Sequence, residues 1–299
     1  MSKSSLSAPL VVAPPAATAA GPDSVLPVLL PYRLRPTAPL RWPRLGLISW
    51  VGIAGLALFI GGVAHAQSGA DRLSAIAVIW KWSPLLLSGF AFNILISVLS
   101  MSLGTVAGLA LGLAQLGENA LLRKAAWGAT QFFRNAPWLV LLFFAMFMIP
   151  FQFRIFGTTI PFPDWVKAVI GFALPVMANV SEIVRGAVAS LPSGQWEAAE
   201  SLAFSRRQTM WRIILPQCIK RMLPPWMNLY SLVTMATVQA SIVGVTEMLT
   251  LTAQVHAAEG GRPDLLAPLY GFAMLCFFLY CYPIERFTLY LERRFQLHQ

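Results

Sequence analysis

Charge is what this chain has least of. Of its 299 residues only 11% are Asp, Glu, Lys or Arg, against about 25% in ordinary soluble domains. With 57% of residues hydrophobic and a mean hydropathy of +0.65, that shortage excludes a compact water-soluble enzyme and a disordered chain alike. Cysteine is scarce as well. Cys218, Cys276 and Cys281 form neither a metal-ligand spacing nor an even disulfide set, and the two in an apolar stretch, Cys276 and Cys281, read as small apolar packing residues. His65, His256 and His298 lie far apart. The chain has no G-x-x-x-x-G-K-[ST] to cradle ATP and no H-E-x-x-H to hold zinc. With no catalytic cluster, the expectation is a non-enzyme without a cofactor or metal site, whose energy, if it uses any, comes from a partner. The positive excess, +10 with a pI near 10.1, would suggest nucleic acid in a soluble protein. In a membrane protein it means Lys and Arg gathered on the cytoplasmic side, so no nucleic-acid partner is expected.

What the chain has instead is long apolar stretches. Windows almost free of charge run over residues 45–70, 82–117, 135–153, 168–191, 222–246 and 265–284. The fourth is broken only by Glu182 and Arg185. A spanning helix needs about 20 apolar residues, and no period-two pattern marks barrel strands. The predicted class is an all-α polytopic membrane protein with about six transmembrane helices. Seventeen of the 22 Lys and Arg fall in the N-terminal tail, the C-terminus, the segments after the second and fourth windows and, with Arg185, the end of the fourth window. Arg72, Lys81, Arg154, Lys167 and Arg262 fall on the other side. The positive-inside rule therefore places both termini in the cytoplasm. Residues 1–44, rich in Pro and Ala, read as a flexible cytoplasmic tail, and residues 45–66 as an N-terminal transmembrane anchor. Trp165 and Trp226 read as interfacial anchors.

The loop of residues 190–223 carries its own structure. Leu191-Pro192-Ser193-Gly194 is a turn signal, and good helix formers follow from Gln195 to Leu202. Ser205 with Gln208 three residues on is a capping box that starts a second helix. Met210, Trp211, Ile214 and Leu215 give this helix an apolar side, and Pro216 interrupts it. Two short amphipathic helices with Ala198, Ala199 and Ala203 on the first make a compact knob. The residues alone leave two surfaces open to it, a protein groove and the lipid headgroups.

Here the sequence resembles a family. Glu197-Ala198-Ala199, then Ala203, then Ile213-x-Leu215-Pro216 is similar to the coupling loop of importer permeases of the ATP-binding-cassette (ABC) class. Ser181-Glu182-Ile183-Val184-Arg185-Gly186, Phe133-Arg134-Asn135-Ala136-Pro137 and Leu291-Glu292-Arg293-Arg294 resemble the polar amino-acid branch. The resemblance covers residues 88–295, as a permease domain with its coupling loop at 190–223. It implies five core helices per subunit and a bacterial cytoplasmic (inner) membrane location. It also implies three protein partners besides membrane lipid: separate ATPase subunits, a like or unlike second permease subunit, and a substrate-binding protein. It assigns ATPase coupling to Glu197, Ala198, Ala199, Ala203, Arg206, Ile213, Leu215 and Pro216. Two positions depart from the pattern. Ala203 stands where the family has glycine, which implies a slightly altered turn or docking distance. Met235-Ala236-Thr237-Val238-Gln239 stands where the family often has Lys-Asp-Thr-Ser-Leu.

Polar residues inside a bilayer are functional candidates by default. Asn179, Ser181 and Glu182 in the fourth window and Gln239 and Ser241 in the fifth are the candidate translocation pathway. Glu182 and Arg185, three residues apart, also neutralise each other, and residues such as Asn179 and Gln239 more often act as interhelical hydrogen-bond partners than as ligands. The expected function is that of a permease subunit importing a polar amino acid or related compound by ATP-driven alternating access. The rival is a self-sufficient channel or secondary transporter.

Overall fold

The computed structural model describes residues 74–155 and 158–296. They all belong to one unit of the chain, Pro43–Gln299. The expected tail and N-terminal anchor lie outside the described residues.

The first helix, α1, is continuous over Ala75–Leu116. At 1.5 Å per residue its 42 residues reach about 63 Å, twice the ~30 Å hydrocarbon core. Ser74 caps its start by accepting the Ala77 N–H. Helix α2 (Ala120–Asn135) begins where the Asn119 side chain accepts the N–H groups of Leu121 and Leu122. At Ala136-Pro137 the chain turns by 106° into α3 (Trp138–Met148), because a residue before proline is pushed out of the helical region. The window 135–153 is thus not one straight span. Helix α3 alone, about 16 Å long, is too short, and only the bent pair has the required length.

A two-stranded antiparallel hairpin follows, β1 (Gln152–Ile155) and β2 (Thr158–Pro161), with Phe153 opposite Ile160. The all-α expectation missed it. Its strands are four residues each, too short for a periodic signal. Helix α4 (Asp164–Ala189) is followed by α5 (Ser193–Ser201) and α6 (Arg206–Thr209). A π turn over Met210–Ile214 joins α6 to α7 (Leu215–Ala236). A 3₁₀ stretch over Thr237–Val243, then α8 (Met248–Ala258) and α9 (Pro263–Gln296), complete the chain. By length and composition, α1, α4 and α9 can each cross a membrane, and if each bent pair is one span the candidate spans among the described residues number five.

The helices pack in four apolar layers along α1. Val78 and Leu86 meet Met248, Leu265 and Leu269. Ile96 meets Leu142, Phe172 and Ala240. Met101 meets Val176, Val180 and Val233. Beyond the end of α4, Leu191 meets Ile214 and Cys218. Lipid tails are as apolar as these side chains, so close fit rather than transfer from water holds such helices together. Gly104, Gly108 and Gly112 on α1 provide that fit. A Cβ at these positions would lie 2.6 Å from Val176 Cβ, 2.6 Å from the Met177 carbonyl oxygen and 2.9 Å from Val184 Cβ. The two tryptophans read as anchors are half-buried and also pack within the protein. Trp226 Nε1 donates to Thr105 Oγ1 on α1 at 2.9 Å, and Trp165 meets Phe92 edge-on.

Candidate functional site: a two-helix knob and a polar cleft

The knob of residues 190–223 is built as two short helices pinned to the long ones. Ser205 Oγ accepts the Gln208 N–H and Gln208 Oε1 accepts the Ser205 N–H, so the expected capping box is present. Trp196, Met210 and Ile213 close over the layer of Leu191, Ile214 and Cys218. Gln217 Nε2 donates to Gln195 Oε1 at 3.2 Å, tying α7 to α5. Arg221 Nη1 donates to the Ser190 carbonyl at 2.8 Å and to Ser190 Oγ at 2.9 Å, tying α7 to the end of α4. A push on α5 therefore reaches α4 and α7 through direct hydrogen bonds.

The alanines do not share one face. Glu197 and Ala198 are exposed, with Glu200, Ser201 and Leu202, whereas Ala199 is only 2% exposed. In a helix, neighbouring residues lie about 100° apart around the axis, so Ala198 and Ala199 cannot both face a partner. Ala199 packs inward and lets α5 approach the rest of the knob. Arg206 and Pro216 are exposed, and Ile213 and Leu215 are half-buried. Pro216 does not interrupt the helix as expected. The Leu215 N–H bonds back to the Met210 carbonyl, five residues away. This π turn re-phases the helix just before the proline, which sits in the first turn of α7, where a missing N–H costs little.

Ala203 explains its own departure from glycine. It has φ +59°. The Ala203 N–H bonds the Glu200 carbonyl and the Phe204 N–H bonds the Ala199 carbonyl. This is the Schellman helix ending, whose left-handed residue is usually glycine. The turn is kept, and the Cβ is carried at a cost of about 1–2 kcal/mol. Ala203→Gly is expected to raise the thermal unfolding midpoint of the purified protein, by about 1 kcal/mol of local stability. A lower midpoint would show that the Ala203 methyl makes contacts that outweigh the strain.

Above the knob lies a cleft of about 440 Å³, lined by Arg134, Asn179, Glu182, Ile183, Gly186, Ala187, Ser190, Arg221 and Pro225. The Glu182 side chain is 13% exposed and pairs with Arg185 at 2.7 Å and with Arg134 at 3.5 Å. The three-residue neutralisation read from sequence is real, and Arg134 from the α2–α3 bend joins it. Asn179 Nδ2 donates to the Pro175 carbonyl at 2.8 Å. The cleft thus offers two guanidinium groups, a carboxylate and an amide, a set able to meet both ends of a zwitterion.

The other pathway candidates are elsewhere. Ser181 is fully buried with its back to the cleft, where Gln115 Nε2 donates to it at 2.6 Å and to Thr130 Oγ1 at 2.9 Å. Gln239 and Ser241 sit on the 3₁₀ stretch, whose Ala240 packs against Phe172. Phe172 precedes Glu182 by about 15 Å along α4. Two buried charges escaped the sequence reading. Glu247 is fully buried and hydrogen-bonded to Asn93. Lys167 is fully buried, 3.2 Å from Asp164 Oδ1 and 3.2 Å above the Phe151 ring.

This geometry has relatives. The profile of the family described as "Binding-protein-dependent transport system inner membrane component" matches residues 104–297. The probable amino-acid ABC transporter permease protein YckA of Bacillus subtilis is 37% identical over 212 residues, covering 71% of this chain and 89% of that protein. The L-cystine transport system permease protein TcyB of the same organism is 30% identical, covering 71% and 86%. Among solved structures, a crystal structure of an amino acid ABC transporter with histidines aligns with a TM-score of 0.64 at 23% identity, covering 72% of this chain and 96% of that one. An inward-facing structure of the MetNI methionine ABC transporter aligns at 0.53 and 16%, covering 71% and 98%. The fold is theirs, and the profile match, running over more than half the chain, shows the family: the chain belongs to the inner-membrane components of binding-protein-dependent transport systems, the permease subunits of ABC transporters.

Proposed function

We propose that this chain is the membrane-spanning subunit of an ATP-driven importer for a polar amino acid or a close relative. A substrate-binding protein delivers the solute on the outer side, and separate ATPase subunits dock on the knob from the cytoplasm. A second permease subunit, like or unlike, completes the pathway. Both termini are cytoplasmic in this reading, and residues 1–44, 45–66 and 88–295 are tail, anchor and permease domain. The observation that carries it is the mechanical link from knob to cleft. Glu197 and Ala198 are exposed on α5, α5 is bonded to α7 through Gln195 and Gln217, and α7 is bonded to α4 through Arg221 and Ser190. Asn179 and Glu182, on α4, line the cleft that this link would reshape. Names of relatives that transport amino acids or L-cystine support the solute class.

The test is reconstitution in liposomes with and without the ATPase and binding protein. Uptake of a polar amino acid against its gradient is expected only with both partners and ATP, and the chain alone is expected to hydrolyse no ATP. Movement of solute down its gradient through the chain alone would favour the self-sufficient channel or carrier.

A further inference from the structure

The span that begins at Leu215 is not one helix. After Ala236 the chain passes through the 3₁₀ stretch Thr237–Val243, turns at Gly244 with φ +88°, and is extended at Glu247. It then resumes as α8 at 52° to its former course. This insert packs through Ala240 and Val245 against Ile96, Leu142 and Phe172, well inside the lengths of α1, α3 and α4. Non-helical backbone at such depth is tolerated only where the protein itself satisfies the polar groups or where the chain lines a cavity.

The two ends of the insert are sealed and its tip is not. Thr237 and Glu247 are 0% exposed, whereas Ile242 is 59% exposed and Gly244 and Thr246 are open. One side chain from α1 holds both ends. Asn93, itself 0% exposed, donates from Nδ2 to Thr237 Oγ1 at 3.0 Å and to Glu247 Oε2 at 2.9 Å, and its Oδ1 accepts the Met248 N–H at 3.1 Å. The other Glu247 oxygen accepts the Thr250 N–H at 2.9 Å, capping α8. A buried polar pair like this adds little stability over apolar packing, while an unsatisfied member is costly. Its physical advantage is geometric, because each bond has a fixed length and direction. The segment so held carries Gln239, whose Oε1 is buried without a hydrogen-bond partner, and Ser241.

We propose that Asn93 and Glu247 are positioning residues for the transport step. They pin the insert to α1, so that Gln239 and Ser241 keep one geometry while the helices bonded to the knob move. The proposal rests on the importer reading above, and the controls separate the two. The permease, its ATPase and its binding protein are reconstituted together, and uptake per ATP hydrolysed is measured beside the amount of assembled complex. If wild type shows no ATP-driven uptake, the importer reading fails first. Given wild-type uptake, Asn93→Asp sets two carboxyl groups against each other, and Glu247→Gln sets an amide donor against either the Asn93 donor or the Thr250 N–H that caps α8. Each is expected to lower uptake per ATP severalfold in complexes that still hold the ATPase. The double variant Asn93→Asp/Glu247→Gln exchanges amide and carboxylate, so the carboxylate now carried by α1 can accept from both the amide opposite it and the Met248 N–H, and the Thr237 hydroxyl keeps the other end by turning its proton from the Thr234 carbonyl to that carboxylate. The double variant is expected to recover most of the coupling. Single variants that reduce assembly but leave uptake per ATP unchanged would overturn the proposal, as would single variants equal to wild type. If the single variants fail to accumulate, the double variant decides: a well-assembled and coupled double supports the pin. A double that is uncoupled, or accumulates no better than the singles, overturns it.

Discussion

Gly108→Leu is expected to abolish accumulation of folded permease. A Cβ at Gly108 would sit 2.6 Å from the Met177 carbonyl oxygen, 2.6 Å from Val180 Cβ and 2.9 Å from Val180 Cγ1. Val180 Cγ1 could move by a rotamer change, but the carbonyl belongs to the α4 backbone and cannot. Leucine then adds three more carbons beyond that clash. Overpacking a well-filled core costs about 1–3 kcal/mol when neighbours can yield, so a backbone clash here should exceed ~3 kcal/mol. The loss has no refuge in hydrophobicity, because α1 pushed off α4 would meet lipid as apolar as itself. The whole close approach through Gly104, Gly108 and Gly112 would open together. Gly128 on α2, where an added Cβ meets nothing within 4 Å, is the matched control. Detergent-solubilised Gly128→Leu should elute as wild type, and Gly108→Leu should be lost to aggregate or degraded. A monodisperse Gly108→Leu protein melting like wild type would mean that α1 and α4 do not meet along this seam.

That seam is legible in the sequence as glycines at every fourth position, yet a search for charge-free windows passes over it. Such a search weighs only what is missing from a helix, not which face its small residues share. It locates spans well: the windows at 82–117, 168–191 and 265–284 lie almost wholly within α1, α4 and α9. It fails in a characteristic way at their edges. The window at 222–246 stops one residue before Glu247 and that at 168–191 starts one residue after Lys167, because a charge is read there as the membrane boundary. Both residues are fully buried; Glu247 is hydrogen-bonded to Asn93 and caps α8, whereas Lys167 has the ion pair with Asp164 and the Phe151 ring but no hydrogen bond at Nζ. Compensation from residues more than a hundred positions away, as between Asn93 and Glu247, leaves no local trace. The knob is legible for the opposite reason. Its capping box, its turns and its amphipathic spacing are local, and Ser205 and Gln208 fulfil them as read. The inward turn of Ala199 is not legible, since it depends on where the π turn Met210–Ile214 lies against α5.

Glu197→Lys and Ala198→Trp are expected to strip the ATPase from the permease, and the inward turn of Ala199 decides which variants can show it. On the importer reading, the exposed face of α5 is the part that enters the ATPase groove. A carboxylate there accepts charge-assisted hydrogen bonds worth about 1.5–3 kcal/mol each when partly buried. Losing one such bond weakens retention by about one to two orders of magnitude, at ~1.4 kcal/mol per decade, and the lysine adds repulsion against whatever cation met the carboxylate. Ala198→Trp adds an indole to a surface with no room for it in a preformed groove. Neither change touches the interior of the knob, since both positions are exposed. Ala199→Trp is different. It would force the indole into the packing between α5 and its neighbours, so its failure would report a collapsed knob and not a lost partner. The informative experiment retains the ATPase on immobilised permease of wild type, Glu197→Lys and Ala198→Trp, with permease insertion measured in parallel. Retention should fall about tenfold or more in both variants at normal insertion. If the knob lay on lipid headgroups instead, Glu197→Lys would bind anionic lipid better and leave ATPase retention and transport intact. Unchanged retention and transport in both variants would therefore remove α5 from the coupling path.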